Sequence, residues 1–297
     1  MTEPEASALA GEFDRLRPYL LRVAYSILGS VSESEDVIQE AWLRLTRRPD
    51  VEIRDLRAWL TKVVSRLAID ELTSARARRE SYVGTWLPEP VVEPYEQPSD
   101  PLQRLTLDES VSMAVLVVLE SLSPAERGAF VLHDVFGYSF AEVSEIVGRT
   151  PQAVRQLAAR ARRSVESQRP RYQISAAEQR RVVEGFMRAA SDGDLEALLA
   201  VLDPDACYRS DGGGVVTAAG KVLIGAERVA RTVMAMAGHY AGTFDARVVS
   251  VNGAPGLLVD QEGELSVIAF SLDGGRIRAI DVIRNPDKLA QVRASIR

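Results

Sequence analysis

The sequence predicts a multidomain protein: two all-α helical domains, the second with a helix-turn-helix, followed by an α+β domain on an antiparallel sheet. Three observations predict it. Apolar residues recur at helical spacing through the first 80 residues and again across 102–168. A proline cluster, Pro88, Pro90, Pro94, Pro98 and Pro101, separates the two blocks as an extended spacer. Beyond Ser175, two helices give way to short β-rich runs punctuated by Asn252–Gly253, Glu262–Gly263 and Gly274–Gly275, which read as hairpin turns. Helices followed by a meandering sheet argue α+β.

In the first block, Phe13, Leu16, Leu20, Val23, Ile27 and Leu28 form one helical stripe. "SESE" then predicts Ser32 as an N-cap with Glu35 closing a capping box. Val37, Ile38, Ala41, Trp42 and Leu45 follow on one face, and Pro49 marks the stop. Asp36, Gln39 and Glu40 form an acidic edge beside Trp42 and Leu43. An aromatic among polar residues suits a protein interface, and a plain core position for Trp42 fits equally well. The next helix, about Asp55 to Thr73, turns Leu56, Leu60, Val63, Val64, Leu67 and Leu72 inward. Its other face carries Arg57, Lys62 and Arg66, and it ends in the cluster Arg76, Arg78, Arg79.

Composition excludes several classes. No apolar run in the 297 residues approaches the roughly 20 needed to span a bilayer, and the acidic N-terminus is unlike a signal peptide. Cys207 is the only cysteine, and His133 and His239 are far apart, so neither a disulfide framework nor a cysteine metal cluster is expected. No metal or cofactor is predicted, and the cytoplasm is the simplest compartment. The net charge of −6 does not advertise a nucleic-acid binder, but an average hides local patches.

Such a patch lies in the second block. "SPAE" (Ser123, Pro124, Glu126) and "SFAE" (Ser139, Glu142) are capping boxes, and "TP" (Thr150, Pro151) opens the last helix. Gly137 and Gly148 sit where left-handed helix ends are needed. Phe140 to Val147, a turn at Gly148, and a helix from Pro151 make a helix-turn-helix, with Ala141, Ile146, Val147, Val154 and Leu157 as its small core. Gln152, Arg155 and Gln156 project from the start of the second helix, where base edges are read. From Arg149 to Val165 there are five arginines (149, 155, 160, 162, 163) and no acidic residue. That is a phosphate-facing patch, or else a solvated basic helix.

"SEDVIQEAWLRL", "IRDLRAWLTKVVSRLAIDEL" and "SPAERGAFVLHDVFGYSFAEVSEIVGRTPQAVRQLAARARRS", in this order, resemble bacterial extracytoplasmic-function sigma factors over roughly residues 8–168. The resemblance implies four segments. Residues 1–82 would be sigma region 2, which binds the polymerase clamp and melts the minus-ten element. Residues 83–104 would be the proline-rich linker, 105–169 region 4, which binds the polymerase flap and the minus-thirty-five element, and 172–291 a regulatory domain. It places Asp36, Gln39, Glu40, Trp42 and Leu43 on the clamp-binding helix. Arg57, Lys62, Arg66, Arg76, Arg78 and Arg79 would face melted promoter DNA, where basic and aromatic groups suit single strands. Arg149, Thr150, Gln152, Arg155, Gln156, Arg160, Arg162 and Arg163 would meet the upstream element. The partners implied are RNA polymerase core, through its beta-prime clamp and beta flap, and promoter DNA. The net charge of −5 over residues 1–170 makes DNA binding largely conditional on polymerase.

The last 125 or so residues begin like SnoaL-like domains, whose NTF2-like α+β cone wraps a curved antiparallel sheet around helices and a pocket. The fusion resembles a sigma-factor subgroup with three hallmark motifs. "WLPEP" (Trp86, Leu87, Pro88, Glu89, Pro90) and "NPDKL" (Asn285, Pro286, Asp287, Lys288, Leu289) match fully. "DGGGK" matches at Asp211, Gly212, Gly213 and Gly214, but Val215 replaces its lysine, and the nearest is Lys221. These segments are expected to dock the linker on the C-terminal domain as a built-in regulator, with Trp86 and Leu87 buried near Asp211 or Asn285. The pocket would offer a site for a small-molecule ligand. A ligand-sensing helix-turn-helix transcription factor is the alternative. Related cones include isomerases and cyclases, for which Asp211, His239, Tyr240 and Asp281 would be candidate acids or bases, but ordinary structural roles suit each better.

Overall fold

A computed structural model describes residues 3–47, 53–95, 111–168, 172, 174–239 and 244–296. The predicted stop at Pro49, the linker beyond Tyr95, the entry to the second block before Val111, and Tyr240 lie outside these. Two compact units emerge: Met1–Glu80, Ser99–Val111 and Val118–Gln168 form one, and Ser81–Pro98, Ser112–Val117 and Arg169–Arg297 the other. The linker therefore groups with the C-terminal domain.

The first unit is helical. α1 (Glu3–Leu28), α2 (Val31–Thr46) and α3 (Leu56–Glu80) bury Leu20, Val23, Ile27, Ile38, Ala41, Leu60 and Val64, the stripe the spacing predicts. The cap of α2 is Ser30, not Ser32. Gly29 (φ 70°) ends α1 in the left-handed region, so the next residue is the first extended one, and its hydroxyl accepts from the Glu33 N–H at 3.2 Å. Helix α3 runs on past Thr73, which puts the arginine cluster on a helix rather than a tail.

α4 (Met113–Leu119) begins in the second unit's share of the chain and ends in the first's. α5 (Pro124–Phe130) runs straight into a π-helical turn (Val131–Val135), and α6 (Phe140–Val147) and α7 (Pro151–Gln168) follow. Both predicted capping boxes form, and Gly137 and Gly148 take φ 75° and 67°. Two hydrogen bonds from Ser139 hold the Glu142 carboxyl below its usual range. The helix-turn-helix core differs from expectation. Val143, Ile146, Val154, Ala158, Ala161 and Val165 are buried, Val147 and Leu157 half-buried, and Ala141 exposed. The inward stripe of α7 steps 154, 158, 161, 165, which leaves position 157 at its edge.

The second unit is α+β. α8 (Ala176–Asp192), α9 (Leu195–Val201) and α10 (Ala226–His239) pack on one face of a seven-stranded sheet, and α11 (Ala290–Ile296) follows it. Its strands are β1 (Val92–Pro94), β2 (Leu202–Asp211), β3 (Leu223–Ile224), β4 (Phe244–Val251), β5 (Ala254–Gln261), β6 (Glu264–Asp273) and β7 (Arg276–Ile283), in the order β1-β4-β5-β6-β7-β2-β3. The three predicted hairpins are present, with positive φ at both turn residues. Two features depart from a plain antiparallel meander. β2 and β7 run parallel, since α10 carries the chain from β2 and β3 to the far end of the meander. And β1 is supplied by the linker, pairing Val92 with Val251 and Pro94 with Val249.

Strand alternation gives the sheet two apolar faces. Tyr208, Leu257, Phe270, Ile280 and Val282 face the helices, meeting Val183, Phe186, Leu198 and Val229. Val249, Val251, Leu258, Val267, Ala269 and Ile283 face the other way and are covered by Leu87, Met113, Leu289 and Val292. Of the residues weighed as acid or base, Asp281 pairs with Arg209 of the neighbouring strand at 2.5 Å and is fully buried. Burial pushes its carboxyl up, against the pull of that guanidinium. Replacing Asp281 by Asn removes one charge of this pair and should cost about 3 kcal/mol, the lower end for a buried pair because Arg209 keeps some solvent contact. Thermal unfolding of the full chain measures it, and a variant as stable as the parent would show that the pair is not structural.

Candidate nucleic-acid interface and linker site

On α2, Asp36 and Gln39 are exposed, and Glu40, half-buried, pairs with Arg44 at 2.8 Å. Leu43 is among the few large apolar side chains in solvent. Trp42 is half-buried, its ring 4.9 Å from that of Phe13. Trp42 thus packs in part on α1 and keeps the rest of its surface in solvent on the helix that carries the acidic residues.

The basic face of α3 is occupied by its own unit. Lys62 Nζ donates to the Glu145 carboxylate at 2.6 Å, and Arg66 donates to the Glu145 carbonyl at 2.5 Å. Lys62 holds the Glu145 carboxyl below its usual range by that hydrogen bond. Arg57 lies 4.2 Å over the Tyr19 ring, and the Tyr19 and Tyr138 hydroxyls meet at 2.8 Å. Arg76 donates to the Leu122 carbonyl at 2.8 Å, and Arg79 to Glu120 at 2.7 Å. The side chain of Arg78 lies outside the described residues. Glu145, Tyr19, Tyr138 and Glu120 were not singled out by the sequence, because pairs so far apart in the chain leave no local signal.

At the start of α7, Gln152, Arg155 and Gln156 are exposed, as are Arg149 and Thr150. The Thr150 hydroxyl caps α7 by accepting from the Ala153 N–H at 3.2 Å. Arg155 lies 5.3 Å over the Phe140 ring. Arg160 pairs with Glu126 at 3.0 Å, Arg162 with Asp134, and Arg163 donates to the Ala159 carbonyl. The arginine patch is therefore graded: the first turn is open, the middle neutralised by neighbouring helices.

In the second unit the three motifs converge on one buried carboxylate. Asp211, with no exposure, accepts from the Tyr82 hydroxyl (2.5 Å), the Leu87 N–H (2.8 Å), the Gly213 N–H (3.1 Å) and Lys288 Nζ (2.6 Å). Lys288 also donates to the Leu87 carbonyl and lies 3.9 Å over the Trp86 ring. Asn285 donates to the Tyr82 hydroxyl at 2.9 Å. Burial and the Asp211 carboxylate push the Tyr82 hydroxyl up. Leu87, Pro88, Glu89 and Pro90 are buried, but Trp86 is only half-buried: its ring is held by the Lys288 cation and keeps an edge in solvent.

The glycines make this convergence sterically feasible. Gly213 takes φ 65°, and a Cβ there would lie 2.5 Å from the Asn285 side chain. At Gly214 a Cβ would press on Val83 at 3.1 Å. Asp211 to Gly214 is thus both a turn and a docking surface. Val215 is exposed, as is Lys221, and the cation on Asp211 is Lys288. Tyr82 was missed by the motif reading, lying four residues before Trp86. The strand Val92–Pro94 was missed too, although two consecutive valines hinted at it.

The helices and inner sheet face line a half-open cavity of about 130 Å³. Neither Asp211 nor Asp281 lines it, since both lie on the opposite face. Among the described residues no group of three or more His, Cys, Asp or Glu is placed to hold a metal, and no helix is long and apolar enough to cross a membrane.

The comparisons agree with the geometry. The family Sigma-70 region 2 matches residues 13–78, and Sigma-70, region 4 matches residues 112–165. The chain is 41% identical over 288 residues to the ECF RNA polymerase sigma factor SigJ of Mycobacterium tuberculosis, covering 93% of this chain and 92% of that protein. It is 36% identical over 286 residues to the probable ECF RNA polymerase sigma factor SigI of the same species, covering 94% of each. The crystal structure of Mycobacterium tuberculosis SigJ superposes with a TM-score of 0.79 at 37% identity, over 95% of this chain and 98% of that one. With identity running through both helical regions and the C-terminal cone alike, the chain belongs to the ECF RNA polymerase sigma factors.

Proposed function

We propose that this sigma factor exists free in a closed form, with its downstream promoter-facing surface occupied by its own region 4. In this reading residues 1–82 engage the beta-prime clamp through Asp36, Gln39, Glu40, Trp42 and Leu43. Residues 105–169 engage the beta flap and read the upstream element, with Gln152, Arg155 and Gln156 on base edges and Arg149, Thr150, Arg160, Arg162 and Arg163 on phosphates. Arg57, Lys62, Arg66, Arg76, Arg78 and Arg79 follow the melted downstream element. The partners are RNA polymerase core and promoter DNA, and the protein acts in the cytoplasm, where they are.

The observation that carries the reading is Glu145, from the helix-turn-helix, on Lys62 and Arg66. Two cations that must meet phosphate cannot do so while they hold a carboxylate and a carbonyl. Polymerase binding, by drawing the two regions apart, would release them. Glu145→Gln with Tyr138→Phe should raise affinity of the free chain for promoter DNA several-fold at low salt, with a steeper salt dependence as two more cations reach phosphate. Fluorescence anisotropy measures it, and affinity for polymerase core should rise in step, because polymerase also selects the open form. Equal affinity and equal salt slope for variant and parent would contradict the closed form.

The C-terminal domain modulates this activity, in the same reading, by holding the linker through Asp211, Gly212, Gly213, Gly214, Trp86, Leu87, Pro88 and the segment Asn285, Pro286, Asp287, Lys288, Leu289. Lys288→Met leaves the Asp211 carboxylate buried without its cation. It should cost about 3–5 kcal/mol in the domain's stability, and hydrogen exchange should quicken at Leu87. Truncation after Pro170 should change promoter-dependent transcription, up or down. Unchanged transcription and unchanged polymerase affinity in the truncated chain would end the modulation reading.

A further inference from the structure

We propose that Phe140 is a specificity-determining positioning residue: its ring holds the Arg155 guanidinium ready to read a guanine of the upstream element. This rests on the reading that Arg155 meets a base edge. It gives Phe140, and His133 behind it, a part in that recognition.

The arginines of α7 are held in two different ways. Three are engaged through their N–H groups: Arg160 with Glu126 at 3.0 Å, Arg162 Nε with the Asp134 carboxylate at 2.8 Å, and Arg163 with the Ala159 carbonyl at 3.3 Å. Arg155 is exposed, and among the described residues no hydrogen bond or ion pair engages it. Its contact is the Phe140 ring, whose centroid lies 5.3 Å from the guanidinium carbon. The attraction of a cation to a ring face asks for none of the N–H groups. Bidentate recognition of guanine O6 and N7 needs two of them, free and in one plane. A carboxylate partner would occupy that fork, and an unsupported arginine would lose its rotamer freedom on docking. A ring partner avoids both.

Phe140 is itself fixed from two sides. It is the first residue of α6, directly after the Ser139 capping box, in which the Ser139 N–H and hydroxyl donate to Glu142 at 2.8 Å and 2.6 Å. Its half-buried ring stacks on His133, with centroids 3.8 Å apart and planes at 28°. His133 Nδ1 lies 2.7 Å from the Tyr138 carbonyl, which can only accept, so Nδ1 carries a hydrogen and the imidazole is pinned. His133 belongs to the π-helical turn, closed by the Phe136 N–H on the Val131 carbonyl at 3.1 Å. A turn of that width shifts the side chains it carries out of α-helical phase. Its next residue, Asp134, holds Arg162. One irregular turn thus supports α7 at two points, Arg155 through His133 and Phe140, and Arg162 through Asp134.

The test uses holoenzyme, polymerase core loaded with the full chain, and a pool of promoter duplexes randomised over the upstream element. Sequencing the bound duplexes gives the base preference at each position. The parent should select guanine at one position or more, and Arg155→Ala should flatten that preference at the position it reads. Phe140→Leu keeps an apolar side chain but no ring face. It should lower the guanine preference at the same position about two- to tenfold, the effect of ordering one free arginine on docking. Preferences elsewhere, and the salt dependence of binding to unselected duplex, should stay as in the parent, because no phosphate contact is removed. Phe140→Tyr, which brings the face back, should restore the preference. If Phe140→Leu loses the parent's circular dichroism, His133→Leu gives the same readout with a smaller loss. An unchanged guanine preference in Phe140→Leu beside a flattened one in Arg155→Ala overturns the positioning role and leaves the base contact standing. Equal weakening at every position, not rescued by tyrosine, would make the ring merely structural and overturns it too. If Arg155→Ala flattens no position, the base contact itself fails, and the proposal with it.

Discussion

A single buried carboxylate organises the outer face of the C-terminal domain. Asp211 has no contact with water, and an ionised carboxylate in that position is tolerable only when donors replace its hydration. It receives four, from Tyr82, Leu87, Gly213 and Lys288, drawn from three segments far apart in the chain. None of these can be lost without leaving charge or lone pairs stranded, so the linker, the glycine turn and the segment after β7 form one cooperative arrangement. The apolar contacts around it, Leu87 and Leu289 on Val267 and Ile283, add burial that water would otherwise disrupt.

The first unit is held together on different terms. Lys62 and Glu145 keep much of their side chains in solvent, as do Arg162 and, across the same region, Arg160. Exposed ion pairs of this kind contribute little and weaken with salt. A polyanion or a polymerase surface competes with them easily, whereas the Asp211 cluster yields only when its cation or its donors are removed. One chain thus combines a firmly fixed linker with a basic helical surface whose outer pairs, at Lys62, Arg160 and Arg162, are lightly held, while Arg79 lies mostly buried against Glu120. That division suits the proposed opening, in which the helical regions part while the connecting segment stays in register with its domain.

Local features were legible in the sequence because they depend on neighbours in the chain. The capping boxes at Ser123, Ser139 and Ser175, the left-handed Gly137 and Gly148, and the three two-residue hairpins all stand where the spacing put them. Errors of one or two residues arose where two caps competed, as at Ser30 and Ser32, or where a stripe drifted, as at Leu157. The sites were legible as motifs but not as geometry. Asp211, Trp86 and Lys288 could be named in advance, yet nothing in "WLPEP" says that a backbone N–H would be the donor, or that Tyr82 would be the second. Pairings such as Lys62 with Glu145 are set by packing between helices far apart in sequence, which no local pattern encodes. The parallel pairing of β2 with β7 is likewise a property of the whole sheet.

The strand Val92–Pro94 has a consequence for solubility. β4 would otherwise be the edge of the sheet, a row of unpaired N–H and C=O groups backed by Val249 and Val251. Open apolar edges of that kind recruit strands from other chains. The linker blunts the edge, and does so with a proline at its end, which cannot donate to a further strand. Any state in which the linker leaves its place would therefore uncover a self-associating surface. Release of the linker and loss of protection against aggregation are physically the same event seen from two sides, so such a state is best tolerated only briefly or with something else seated on that edge.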